Sequence, residues 1–193
     1  MGIFRFVRLL SYTTKSSPEY KGKVGEQRVS FVIRRLIKEK GGYLIDDIHL
    51  PINKDKTTQI DHIYISKYGV FVIETKAYQG IIYGKTSDNK WVIYFANQKF
   101  DMYNPIKQND LHVAAVNTNI KSLVTSPVSI VTILRANISN IHAKNVFNLP
   151  QMEKYFLNLK EEVMTNEEVE EIYQEISSYK NNTSKKQDGL NED

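Results

Sequence analysis

The chain has 193 residues, no cysteine and a net charge of +4, which leaves room for one α/β domain with a proper core plus terminal additions, and not for two. The missing cysteine excludes disulfides, thiolate zinc sites and a cysteine nucleophile. The four histidines, His49, His62, His112 and His142, show no paired ligand spacing, so any metal is expected to be held by oxygen.

The charge is unevenly placed. Residues 1–150 hold 21 Lys and Arg against 11 Asp and Glu, whereas residues 151–193 hold 5 against 11. A basic body attracts polyanions such as nucleic acid or anionic lipid, although a solvated basic surface accounts for the count equally well. Residues 1–10 are apolar and basic but far shorter than the ~20 residues that span a bilayer. Arg5 and Arg8 interrupt them, no small-residue cleavage site follows, and Phe6 stands where a myristoylation signal has Ser or Thr. The expectation is a cytoplasmic protein whose residues 1–18 form a short segment, packed, frayed or in peripheral contact with the inner membrane face.

In residues 22–40, Val29, Val32, Ile33, Leu36 and Ile37 recur at helical spacing and Gly41-Gly42 stops the run. Glu26 falls on the inward side of this helix, while Arg28, Arg34, Arg35 and Lys38 occupy exposed sectors. A first-turn glutamate that complements the helix dipole is the simpler reading of that position taken alone. Residues 43–50 read as a strand, 51–56 as a turn, 59–65 as a second strand, and 67–69 as the hairpin into a third, residues 70–77.

The third strand carries Glu74 and Lys76 within Val70-Phe-Val-Ile-Glu-Thr-Lys-Ala77, and Asp61 stands in the strand before it. Burying unpaired charges costs several kcal/mol, so a strand that keeps them suggests a bound ion. Antiparallel pairing would bring Asp61 within reach of Glu74, since opposed residues lie roughly 4.5–5.5 Å apart. Mg²⁺, or Mn²⁺, prefers oxygen ligands, keeps several waters and needs only one or two carboxylates, here Asp61 and Glu74 with the Thr75 carbonyl. Lys76 would then serve the attacking water or the charge developing on a phosphate.

Residues 80–84, 91–95 and 98–100 read as short strands. Their aromatics, Tyr83, Trp91 and Tyr94, together with Tyr78 and Tyr103, mix with Lys85, Lys90 and Lys99. Such a mixture can stack on bases and hold phosphates, although Trp91 at strand spacing is better read as core. Asn104-Pro105 starts a helix that puts Gln108, Leu111, His112, Ala115 and Asn119 on one stripe. Gln108 and His112 are candidates to meet a phosphate or a metal-bound water, and Lys85, Lys99 and Lys107 are candidate backbone contacts of a nucleic acid. Both Gln108 and His112 also suit boundary residues satisfied locally.

The ordered set Gly22-Lys-Val-Gly-Glu26, Gln59-Ile-Asp-His62, Gly69-Val-Phe-Val-Ile-Glu-Thr-Lys76, Gly80, Trp91 and Asn104-Pro-Ile-Lys-Gln108 resembles the PD-(D/E)XK, or restriction-endonuclease-like, nuclease superfamily. More narrowly, it resembles the nuclease-related domain family, NERD. Ile60 stands where the superfamily's name has proline. The resemblance implies Glu26, Asp61, Glu74, Lys76 and Gln108 as the active-site set of a nuclease.

Residues 128–134, a near-continuous β-branched run, read as a central parallel strand and residues 146–147 as another. Residues 150–159 suggest a short helix, and Thr165-Asn-Glu-Glu168 is a capping box for a second, through about Tyr179. Its glutamates read as a solvated face, or as an acidic helix laid over the basic cleft in competition with nucleic acid. The expected architecture is one α/β domain with a mixed central sheet flanked by helices and a helical C-terminal appendage. It divides into residues 1–18, a nuclease-like domain over 19–150, an acidic helical extension over 151–180 and a disordered tail over 181–193. The expected activity is Mg²⁺- or Mn²⁺-dependent hydrolysis of phosphodiester bonds, in DNA. The alternative is a non-catalytic nucleic-acid-binding or protein-interaction module on the same scaffold, which would need the basic surface but not the three ionic residues together.

Overall fold

Alternating helix-period and strand-period stretches fold in the order α1 (Pro18–Lys40), β1 (Tyr43–Pro51), β2 (Thr57–Ser66), β3 (Gly69–Lys85), β4 (Lys90–Phe95), β5 (Gln98–Tyr103), α2 (Pro105–Asn119), β6 (Val128–His142), β7 (Val146–Phe147), α3 (Leu149–Leu157) and α4 (Asn166–Asp188). This is a computed structural model, and it describes residues 18–188. Residues 1–17, and with them the proposed membrane contact, lie outside the described residues. Among the described residues no helix is long and apolar enough to cross a membrane.

The seven strands make one mixed sheet. β1 to β5 are neighbours in sequence order and antiparallel, while β6 runs parallel to β3 on its other side and β7 parallel to β6. The parallel pairing expected of residues 128–134 is present, in a strand that continues to His142. The stretches expected as separate strands over 70–77 and 80–84 are one strand, β3. Its ladder with β6 shifts register between Ala77 and Gly80, where Tyr78 and Gln79 lie opposite Arg135 alone. Such a bulge absorbs an extra residue and lets the chain bend without ending the strand.

Two apolar layers cover the sheet. On one face α2 and α4 pack through Ala115, Val116, Val169, Ile172 and Ile176 onto Ile45, Ile63, Ile65, Val70 and Val72. On the other, α1 and α3 pack through Val29, Ile33, Leu36, Met152 and Phe156 onto Tyr64, Phe71, Ile73 and Ile130. Phe71 and Phe156 meet edge to face with centroids 5.0 Å apart. Each of these rings or branched side chains contributes roughly 1.5–3 kcal/mol on burial, so the C-terminal helices belong to the domain's core energetics.

Three readings of the C-terminal region are corrected. The tail expected to be disordered from residue 181 continues as helix to Asp188. The glutamates of α4 are not merely solvated: Glu170 accepts a hydrogen bond from Tyr43 Oη, and Glu175 accepts from the backbone N–H groups of Lys121 and Ser122 at 2.9–3.0 Å. Nor does α4 lie over the basic cleft. Its apolar stripe of Val169, Ile172 and Ile176 demanded burial more than its acidic face sought cations, and β1 and β2 supply that burial. The capping box is present: Thr165 Oγ1 accepts from Glu168 N, and Glu168 accepts from Thr165 N.

Candidate active site

The site arises where one edge of β3 is left uncovered. The β2 ladder ends at His62 opposite Ile73, and the β4 ladder begins only at Ile81 opposite Tyr94. Residues 74–77 and Gly80 therefore pair with β6 alone, and the other edge of this stretch opens on a cavity of about 630 Å³. An uncovered strand edge carries N–H groups that need acceptors. Asp61, the residue just past the end of the β2 ladder, meets one of them: its Oδ2 accepts from Thr75 N at 2.8 Å. That bond fixes the carboxylate beside Glu74.

All five residues expected to form the active site line this cavity: Glu26, Asp61, Glu74, Lys76 and Gln108, with Thr75 among them. Glu74 is 1% exposed. Its Oε1 pairs with Lys76 Nζ at 2.6 Å, while its Oε2 is buried without a hydrogen-bond partner, 3.5 Å from an equally unpartnered His112 Nδ1. Burial, then the neighbouring Asp61 charge, pushes the Glu74 carboxyl up to about 7, against the opposing pull of Lys76. Burial and the charge of Asp61 likewise raise Glu26. The charge of Asp61 thus raises the proton affinity of both Glu74 and Glu26, and nearby cations, Lys76 at Glu74 and Lys23 at Glu26, oppose it.

Each side chain is held by a local device. Gly25 brings α1 against the sheet, since a Cβ there would stand 3.1 Å from Ala77 Cβ and 3.5 Å from Thr75 Cγ2. The same helix is tied down by Asp46, which accepts from Ser30 Oγ at 2.9 Å and Arg34 Nη2 at 2.6 Å, and lies 2.7 Å from His62 Nδ1. Asn104 caps α2 by accepting from Ile106 N, and its Nδ2 donates to the carbonyls of Lys85, Thr86 and Asp88. The start of α2 is thereby clamped to the β3–β4 turn and Gln108 set at the cavity. Inside, Asn109 Nδ2 donates to the carbonyls of Val72 and Ile130 at 2.9 and 3.0 Å, locking α2 onto the two central strands.

The expected nucleic-acid contacts fare differently. His112 is buried, its Nδ1 3.5 Å from Glu74 Oε2, and burial lowers its proton affinity. Lys85 and Lys99 do not line the cavity, and neither does Lys107, which donates to Ser87 O and Asn89 Oδ1 of the β3–β4 turn. Trp91 is core, its Nε1 donating to Lys85 O at 2.9 Å, while Tyr83 and Tyr94 stack edge to face, both exposed.

A model of the nuclease-related domain matches residues 21–146, most of the chain and all of the residues around the cavity. The chain belongs to the nuclease-related domain family. It is also 32% identical over 176 residues to an uncharacterized protein of Bacillus anthracis, covering 88% of this chain and 82% of that one. No solved structure matches this NERD protein.

The oxygen donors suit a hard divalent cation. Glu74 Oε2 is a buried oxygen without a hydrogen-bond partner, and the Asp61 charge that raises both Glu74 and Glu26 is one a dication would offset. Among the described residues no group of three or more His, Cys, Asp or Glu side chains is gathered in ligating geometry. Lining residues that sequence reasoning missed include Lys21, Phe95, Phe100, Asp101 and Arg135. Arg135 has a left-handed backbone, φ 67°, which no pattern of residue types announces.

Proposed function

We propose that this NERD protein is a metal-dependent nuclease that hydrolyses phosphodiester bonds, in DNA, within the cytoplasm. The observation that carries the reading is the convergence of Asp61, Glu74 and Lys76 on one cavity, with a buried Glu74 oxygen left without a partner. In this reading Asp61 and Glu74 hold Mg²⁺ or Mn²⁺, with the Thr75 carbonyl assisting. When bound, the ion supplies Lewis acidity toward the phosphate and lowers the pKa of a coordinated water.

The chain's own groups have separable tasks. Lys76, at the cavity floor beside Glu74, offers an ammonium to charge accumulating on a phosphate oxygen. Glu26, whose charge is disfavoured by burial and by Asp61, is suited to taking a proton from water or orienting it. Gln108 brings an amide that can donate to a phosphate oxygen and accept from water. The Lys76–Glu74 ion pair favours a second reading, a non-catalytic nucleic-acid-binding module, because it already neutralises one ligand.

Turnover separates the two. Purified protein is incubated with linear, circular and single-stranded DNA and with RNA, in Mg²⁺, Mn²⁺ or EDTA, beside Glu74→Ala and Lys76→Ala variants shown to be folded. The nuclease reading expects cleavage with either metal that EDTA and both substitutions abolish. Cleavage that survives EDTA or both substitutions contradicts it, and binding without any turnover favours the module.

A further inference from the structure

The cavity has a wall that the carboxylates do not explain. The β4–β5 hairpin turns through Ala96 and Asn97, both left-handed at φ 50° and 60°, the tight two-residue geometry that matches strand twist. The turn sets Phe95 and Phe100 on the hairpin face that runs on from Trp91, Ile93 and Met102. Trp91 and Met102 are core, whereas Phe95 and Phe100 reach the cavity and stay 46% and 45% exposed. The hairpin is pressed close to β3 because Gly80, φ 103°, has no side chain: a Cβ there would stand 2.2 Å from Tyr94 O and 2.9 Å from Phe95 Cβ.

Arg135 lies in the same cavity. It is the single β6 residue facing the two-residue bulge of Tyr78 and Gln79, and its backbone takes a conformation that costs a non-glycine residue on the order of 1 kcal/mol or more. Its side chain is exposed, and no carboxylate pairs with it among the described residues. Bulges beside a site re-aim a side chain, and an arginine lining the same cavity as two apolar rings offers a phosphate contact beside a base-stacking wall.

We propose that Arg135, Phe95 and Phe100 form a nucleotide subsite that takes an unpaired strand: the guanidinium holds a backbone phosphate while the rings stack on its base. A cavity of about 630 Å³ has room for one nucleobase with its phosphate. Only an unstacked base presents its face to an aromatic wall. The inference deepens the nuclease reading by naming its substrate class, and rests on it.

The test measures equilibrium binding in EDTA, where turnover is suppressed, of a fluorescent oligo-dT, an oligo-rU and a self-complementary duplex of equal length. The wild-type chain is expected to prefer both single strands to the duplex by tenfold or more. Phe95→Ala and Phe100→Leu should each weaken single-strand binding on the order of tenfold while leaving duplex binding unchanged. Arg135→Gln should reduce the slope of log affinity against log salt by about 0.7, the value for one phosphate on a single strand, and Arg135→Lys should restore it. All four substitutions fall on exposed side chains, and thermal melts verify folding. Equal affinity for duplex and single strand, or ring and arginine variants indistinguishable from wild type, overturns the subsite even if DNA is cleaved. The expected binding pattern without Mg²⁺-dependent cleavage upholds the subsite and overturns the nuclease. A preference for oligo-dT over oligo-rU, or the reverse, leaves the subsite standing and identifies which sugar it takes.

Discussion

The buried carboxyl of Glu74 makes the stability of the metal-free protein depend on pH in a sense opposite to ordinary acid denaturation. An unfolded glutamate titrates near 4.5, whereas burial and Asp61 raise Glu74 to about 7 in the folded chain. Between those values the folded state holds the proton more tightly, so the Glu74 contribution is fully present below about pH 4.5 and is lost as the pH rises through 7. One pKa unit corresponds to about 1.4 kcal/mol, so the loss attributable to this group is on the order of 3 kcal/mol. Burial and Asp61 also raise Glu26, which adds to the loss, while His112, held neutral by burial, acts the other way below its ordinary titration range. A difference measurement removes both. Urea unfolding in EDTA at pH 5 and pH 8 should show wild type losing on the order of 3 kcal/mol more than Glu74→Gln over that interval. Parallel pH dependence of the two proteins, or a wild type that gains on Glu74→Gln toward pH 8, would refute the electrostatic account of the cavity.

Other perturbations read separate parts of the structure. Gly25→Val inserts a branched side chain where a Cβ alone would stand 3.1 Å from Ala77. It should cost about 1–3 kcal/mol in chemical denaturation and lower cleavage further by displacing Glu26. Gly84→Ala drives a methyl to 2.3 Å from the Trp91 ring, and a loss of similar size, with a changed Trp91 fluorescence spectrum, is expected. Glu175→Ala removes the acceptor for two backbone N–H groups that lie near solvent, so unfolding should become easier by about 1 kcal/mol. Cleavage by Glu175→Ala should match wild type. A rise in cleavage or nucleic-acid affinity would revive α4 as a competitor for the cavity.

The central residues were legible because charge inside an apolar strand is a physical contradiction that residue types alone reveal. Asp61, Glu74 and Lys76 interrupt otherwise buried runs, and Glu26 breaks the inner stripe of its helix, so all were visible before any fold was known. Gln108 became visible through its cap: Asn104-Pro105 fixes the start of α2 and hence the face on which Gln108 falls. What remained hidden depends on tertiary geometry. Arg135 looks like any exposed strand residue until the bulge in the β3–β6 ladder turns it. Lys85, Lys99 and Lys107 carry suitable charge close to the site in sequence, but β3 carries Lys85 past the cavity and Lys107 is drawn to the β3–β4 turn. His112 shares Gln108's stripe, and one turn of helix moves it from the cavity to the buried side of Glu74.

Asp61 and Glu74 are proposed to act together as an oxygen site for one divalent cation. Calorimetric titration of the metal-free protein with Mn²⁺, repeated on Asp61→Asn and Glu74→Gln, tests it most directly. One saturable site per chain, weakened at least tenfold by either substitution while the fold is kept, is the predicted result. Undiminished Mn²⁺ affinity in both variants, or no saturable binding to the wild-type chain, would contradict it.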